Sequence, residues 1–199
     1  MSSPPRPEGL RERKKAKTRR TIQEHALRLF AEQGYEATTV EQIAEAAEIS
    51  PSTFFRYFPT KEDVIVQDDY DPVLIEVLAA QPAGLAPVAA LRATMRAVFE
   101  KFPEDEERQI LARTRLQLSH TALRARAVDN MLTTIDMLAE GIAGRLGRDA
   151  DDPLSRTTAG AVVGVLLAAL FAWAEADGAR RLADVTDEAL AFLEAGLRP

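Results

Sequence analysis

Ser52, Thr53, Arg56, Tyr57 and Lys61 fall within one short stretch of the chain. The set contains no nucleophile with a base beside it, so its chemistry is hydrogen bonding. Small hydroxyls at a helix start admit close approach to base edges, a guanidinium bridges the acceptors of guanine, and phenol and ammonium groups reach phosphates. Patterns for catalysis are missing. Histidine occurs only at His25 and His120, and there is no Glu-x-x-His pair, glycine-rich phosphate loop or HExxH string. Ser119 and His120 are neighbours in sequence, which does not make a triad, because triads are spatial. Cysteine is absent, which excludes disulfides, thiolate catalysis and cysteine-ligated metals and suits a cytoplasmic protein. The expectation is a binding protein, not an enzyme, with no cofactor and no metal.

These residues need two short helices to present them. Thr38 and Thr39 supply a helix start, and Glu41 or Gln42 completes a capping box. Val40, Ile43, Ala44 and Ala47 then recur at helical spacing. Ser50 opens a second helix with Pro51 in its first turn, where the missing N–H costs nothing, and Pro59 closes it. Residues 47–49 leave room only for a tight turn, with Ile49 and Phe54 as plugs. The pattern is a helix-turn-helix. The competing reading of the spacing is a plain helical hairpin with a solvated polar face.

The run from Ile22 to Val64 carries Phe30, Gly34, Tyr35, Thr39, Val40, Ile43, Ala44, Ala47, Ile49, Ser50, Thr53, Phe54, Tyr57, Phe58 and Lys61 in order. It resembles the DNA-binding domain of TetR-type transcriptional regulators over about the first third of the chain. The resemblance implies a dimeric, ligand-responsive repressor that reads a double-stranded DNA operator with the helix from Pro51 to Phe58. It places Thr39, Tyr57 and Lys61 near phosphates, and Pro51, Ser52, Thr53 and Arg56 near bases. Two positions depart from the family pattern. Glu48 stands where the turn usually has glycine, at a cost of about 1 kcal/mol if the backbone there is left-handed. Phe55 stands where a phosphate-binding tyrosine is common; it donates no hydrogen bond and is assigned to packing or to a thymine methyl.

Net charge is −6 over 199 residues, wrong for a protein that coats nucleic acid indiscriminately. The charge is uneven, since Arg6, Arg11, Arg13, Lys14, Lys15, Lys17, Arg19 and Arg20 face only Glu8 and Glu12 before Ile22. Such a basic segment suits DNA. The expected organisation is a disordered basic arm over 1–12, a helix-turn-helix domain over 13–59 and a helical ligand-binding and dimerisation domain over 60–199. The expected fold is all-α, an N-terminal three-helix DNA-binding domain plus a larger C-terminal helical domain, with about nine helices.

Beyond Lys61, one helix is expected from Thr60 to about Ala80, linking the two parts. QPAGLAP breaks the chain at 81–87, and a stripe from Val88 to Phe102 stops at Pro103. Glu104 to Glu107 place acid at the next helix start. The longest stripe runs from Leu123 to Leu146 and closes at Gly147. Ala159 to Ala174 is 16 residues without a charge, shorter than the roughly 18 to 20 needed to cross a bilayer, so no membrane partner is expected. A helix apolar all round is buried all round. A second subunit is the economical cover, paired through this helix and a last one at about Thr186 to Leu197.

A small, largely apolar effector would sit among the middle helices. The candidate lining is Met95, Phe99, Phe102, Ile110, Thr114, Asn130, Met131, Thr134, Ile135, Val162, Leu166 and Trp173, with Arg113, Arg115 and His120 as possible anchors for an acidic head. The alternative function is a helical ligand-binding or partner-docking module without operator binding; intact Thr53, Arg56, Tyr57 and Lys61 favour the regulator.

Overall fold

The computed structural model describes residues 10–67 and 70–198. Among them the chain forms ten helices and no strand: α1 (Leu10–Gln33), α2 (Val40–Ala46), α3 (Pro51–Tyr57), α4 (Asp63–Val66), α5 (Asp71–Ala80), α6 (Pro87–Phe99), α7 (Glu104–Ser119), α8 (Thr121–Leu146), α9 (Pro153–Glu175) and α10 (Leu182–Glu194). They divide into two compact units between Gln67 and Asp68.

The N-terminal unit is built on one face of α1, where Ile22, Ala26 and Phe30 recur at helical spacing and are buried. Ile43, Ala44, Phe54, Val64 and Ile65 from the shorter helices, and Phe58 just past α3, are buried in the same unit. Each buried aromatic or branched side chain contributes about 1.5–3 kcal/mol. The charged part of α1 also holds the unit together. Arg19, counted from sequence among the basic arm, is half-buried. Its guanidinium lies 4.3 Å from the centre of the Phe58 ring and donates to the Tyr57 carbonyl at 3.2 Å and to Gln67 Oε1 at 2.9 Å. Gln23 donates from Nε2 to the carbonyls of Val64 and Gln67 at 3.2 and 2.8 Å, satisfying the open end of α4.

Four expected boundaries move. Of the arm expected over 1–12, residues 1–9 lie outside the described residues, and Leu10 already begins α1. The helix expected from Thr60 to Ala80 is two helices. Gln67 leaves α4 in extended conformation (φ −80°, ψ 140°), and Pro72 sits in the first turn of α5. Proline there would clash with the carbonyl four residues back in a continuous helix and has no N–H to give. This split accounts for ten helices where about nine were expected, and it leaves α4 in the N-terminal unit, so the boundary after Pro59 moves to Gln67. The last helix begins at Leu182, not Thr186, because Leu182 and Ala183 are buried in its first turn.

In the C-terminal unit, α9 packs against α8 and α10, while α6 packs against α5 and α10. The core combines Leu74 and Leu78 of α5, Leu91, Met95 and Val98 of α6, Leu138 and Ile142 of α8, Ala159 and Val162 of α9, and Leu190 of α10. Arg92 grips both Asp187 oxygens at 2.7 and 2.8 Å and Glu194 at 3.0 Å, fastening α6 to α10. Arg145 donates to the carbonyls of Leu78, Gln81 and Pro82 and so closes the C-terminus of α5.

The charge-free core of α9 is extended by Asp152, which caps the helix by accepting from the Ser155 N–H at 2.8 Å. The whole helix has 23 residues and is long and apolar enough to cross a membrane by length and composition alone. The length limit inferred from the 16-residue core therefore does not hold for the helix. Ala159, Val162, Val163, Ala169 and Trp173 are buried against the rest of the unit, whereas Thr157, Ala161, Gly164, Ala168 and Ala172 form an exposed stripe of small residues on another side.

Candidate nucleic-acid interface and ligand core

Local hydrogen bonds set the helix pair. Thr39 caps α2: its Oγ1 accepts from the Gln42 N–H at 3.2 Å while Gln42 Oε1 accepts from the Thr39 N–H at 2.9 Å. Of the two residues able to close this box, Gln42 does so. Ser50 caps α3 by accepting from the Thr53 N–H at 3.1 Å. The turn between them is a Schellman motif, with Glu48 N–H on the Glu45 carbonyl and Ile49 N–H on the Ala44 carbonyl, at 3.0 and 2.9 Å. Its left-handed position is Glu48, at φ 54°. The motif favours glycine there, so Glu48 carries the strain the sequence raised.

Helix α3 divides cleanly by face. Phe54 is fully buried, as is Phe58 just past its end. Pro51, Ser52, Phe55 and Arg56 are exposed together on the opposite side, with Thr53 and Tyr57 half-buried at its edges. Phe55 is 49% exposed and its ring stands edge-on to Phe54 with centres 5.5 Å apart, so part of the ring packs on the helix pair and part faces outward. At the start of α3 the Ser50 hydroxyl lies 2.9 Å from that of Ser52 and 3.0 Å from that of Thr53. The Arg56 guanidinium stands 5.6 Å from the centre of the Tyr57 ring. An exposed helix face of hydroxyls, an arginine and one aromatic ring offers donors and an apolar contact to a groove.

Lys61 is placed differently from a free surface lysine. Its ammonium donates to the carbonyls of Tyr35 and Thr38 at 2.9 and 3.1 Å and lies 4.1 Å from the centre of the Tyr35 ring. Two of its three N–H donors are thus spent inside the unit. The Tyr35 hydroxyl donates to Glu62 Oε1 at 2.6 Å. Burial and this hydrogen bond to the carboxylate push the Tyr35 phenol up from its ordinary range. Burial opposes an ionised Glu62, but the hydrogen bond from Tyr35, aided by backbone, Thr60 and Lys61, outweighs it and holds the carboxyl below its usual range. Sequence spacing gave no sign of Arg19, Gln23, Tyr35 or Glu62 as supports, since their partners lie 26 to 48 residues away.

The residues expected to line a ligand site mostly converge. Met95, Phe99, Phe102, Met131, Ile135, Val162 and Leu166 join one apolar cluster, and Ile110 and Trp173 a second one that shares Phe99, Phe102 and Tyr70 with the first. Tyr70, which the sequence did not single out, packs on Phe102 with ring centres 4.9 Å apart and donates its hydroxyl to Glu106. Thr114 and Thr134 bond within their own helices, to the Ile110 and Asn130 carbonyls, whereas Trp173 Nε1 donates to the Arg180 carbonyl in the loop after α9 at 2.7 Å. Asn130 and Thr134 are half-buried and outside both apolar clusters. Among the proposed anchors, Arg115 is exposed and paired with Asp177, His120 joins α7 to α8, and Arg113 is buried.

Residues 22–67 match the family model described as bacterial regulatory proteins, tetR family, and residues 85–198 match the one described as MftR C-terminal domain. The chain belongs to the TetR family. As a TetR-family member it is a DNA-binding transcriptional regulator, and the first match ends at Gln67, the last residue of the N-terminal unit. It is 39% identical to the HTH-type transcriptional regulator TcmR of Streptomyces glaucescens over 157 residues, which span 75% of this chain and 70% of TcmR. It is 31% identical to the HTH-type transcriptional repressor AcnR of Corynebacterium glutamicum over 149 residues, 72% of each protein. Among solved structures, Thermus thermophilus FadR, a TetR-family transcriptional repressor in complex with lauroyl-CoA, superposes with a TM-score of 0.58 at 30% identity, covering 91% of this chain and 95% of FadR.

Proposed function

We propose that this TetR-family protein is a homodimeric repressor that a small, largely apolar ligand releases from its operator. The observation that carries the reading is the exposed face of α3, on which Pro51, Ser52, Phe55 and Arg56 stand together while Phe54 and Phe58 anchor the helix from behind. Ser52, Thr53 and Arg56 read base edges, with Pro51 in close approach; Thr39, Tyr57 and the remaining N–H of Lys61 meet phosphates. Occupancy of a promoter suffices to repress.

Two recognition helices reach successive major-groove faces of a roughly palindromic operator when two chains pair. The exposed stripe of Thr157, Ala161, Gly164, Ala168 and Ala172 on α9, with half-exposed Phe192 on α10, supports pairing through these helices, because small residues let helices approach closely. Replacing Ala168 by Glu places a charge in that face and should turn a dimer into a monomer in sedimentation. A wild-type chain already monomeric at micromolar concentration would remove the pairing.

The ligand sits among Met95, Phe99, Phe102, Ile110, Thr114, Asn130, Met131, Thr134, Ile135, Val162, Leu166 and Trp173. The lauroyl-CoA bound by the Thermus relative supports an apolar ligand. Because α4 and α5 are separate helices, ligand acts first on α5, whose Leu74 and Leu78 belong to the core. It alters DNA affinity only by its difference in affinity for two states. The experiment is binding of the purified protein to the DNA beside its own gene against random DNA of equal length. Equal affinity for both would refute operator recognition and leave a helical ligand-binding module.

A further inference from the structure

We infer that Arg113 anchors an anionic head group, and that the ligand of the C-terminal core is an apolar carboxylic acid. This rests on the ligand-binding reading above and names the chemical class of that ligand.

Arg113 lies on α7 and is only 9% exposed. An arginine this little exposed is ordinarily paired; among the described residues the Arg113 nitrogens are not buried atoms left without a partner, so its remaining exposure lies at the guanidinium, open to solvent or to a ligand. Other arginines of the unit are paired although they are more exposed: Arg92 binds Asp187 and Glu194, Arg145 binds three carbonyls, and Arg181 binds Glu107. Arg113 is not. Among the described residues its guanidinium has no carboxylate within 4.0 Å and no hydrogen-bond partner. Its recorded interaction is with the Tyr70 ring, whose centre is 6.0 Å away, at the outer edge of a cation–π contact.

The surroundings say what would complete it. Tyr70 packs on Phe102, which packs on Phe99 with ring centres 5.2 Å apart, and both phenylalanines also touch the cluster of Ile110 and Trp173. The guanidinium therefore borders the aromatic junction of the two apolar clusters. The nearby acidic Glu106 accepts from the Tyr70 hydroxyl, and Arg115, two residues further along the helix, pairs with Asp177. A planar fork of donors matches a carboxylate with two parallel hydrogen bonds, and burial strengthens such a pair. An apolar body fills the aromatic junction while its carboxylate neutralises Arg113.

Calorimetric titration of the full-length protein with sodium dodecanoate and 1-dodecanol, and with 4-phenylbutanoate and 4-phenylbutanol, compares acid and alcohol on the same apolar body. At least one acid should bind about 10- to 100-fold more tightly than its alcohol. Arg113→Met should erase that preference without lowering the melting temperature of the ligand-free protein, and Arg113→Lys should keep part of it. Equal binding of acid and alcohol, binding of neither pair, or a preference that survives in Arg113→Met overturns the inference. If Arg113→Met does not fold, the wild-type comparison and Arg113→Lys decide. Operator binding of the ligand-free protein, measured alongside, separates the outcomes: retained operator binding without acid preference removes the anchor alone, whereas no operator binding removes the regulator reading itself.

Discussion

The Lys61 ammonium donates to the Thr38 carbonyl at 3.1 Å, tying the turn beyond the recognition helix to the residue that precedes the cap of α2. A second donation, to the Tyr35 carbonyl, and the ring of Tyr35 beneath it make Lys61 a clamp as well as a phosphate candidate. Lys61→Ala should therefore show two effects. Loss of two charge-assisted hydrogen bonds, partly shielded from water, should lower stability by about 2 kcal/mol. Loss of one phosphate contact should reduce the log–log salt slope of DNA binding by about 1 for each contact removed. Denaturant titration and affinity at several salt concentrations read the two separately; an unchanged slope assigns Lys61 to the clamp alone.

Glu48 is strained by position, not by contact. Its φ of 54° is that of a residue whose Cβ crowds its own carbonyl, and its side chain is exposed. Glu48→Gly should stabilise the protein by about 1 kcal/mol, visible as a raised urea midpoint with unchanged slope. A lowered midpoint would mean that the Glu48 side chain does more than the backbone costs.

These two positions mark how far the sequence could be read. Thr39 with Gln42, Ser50 with Thr53, Pro51 in its first turn and Gly147 as a left-handed stop (φ 63°) were all legible, because each depends on hydrogen bonds or backbone angles a few residues apart. The break between α4 and α5 was hidden, since Val64, Ile65 and Leu74 look alike on either side of it and only Pro72 betrays it. Arg19 looked like one more charge in a basic run and is the support of Phe58. Arg113 and Arg115 could not be told apart by spacing, although one is buried and the other paired with Asp177 at the surface.

Phe55 shares the exposed face of α3 with Ser52 and Arg56. Phe55→Ala should change folding stability little, because the ring is half-exposed, yet weaken operator binding by about 1 kcal/mol with relaxed preference for thymine at one position per half-site. Affinities on operators carrying uracil in place of thymine test the same contact without mutation. Equal loss on thymine and uracil DNA would exclude a methyl contact.

Glu62 gives the N-terminal unit an acid sensitivity of definite sign. Its folded carboxyl titrates below the ordinary value of 4.5. The stabilisation it contributes is therefore fully present above pH 4.5 and is lost as pH falls through the lowered folded value. Glu62→Gln should be less stable than wild type at pH 7, with the difference shrinking below pH 4.5. A constant difference down to pH 3 would show that the Tyr35 hydrogen bond does not govern the titration.

The central claim is that α3 reads sequence through its exposed face. The direct measurement is the affinity of wild type and Arg56→Ala for the operator and for random DNA at one salt concentration. A base-reading Arg56 predicts an operator affinity reduced by about 1–3 kcal/mol, with random-DNA affinity falling far less. An equal reduction on both DNAs, or none on the operator, would contradict it.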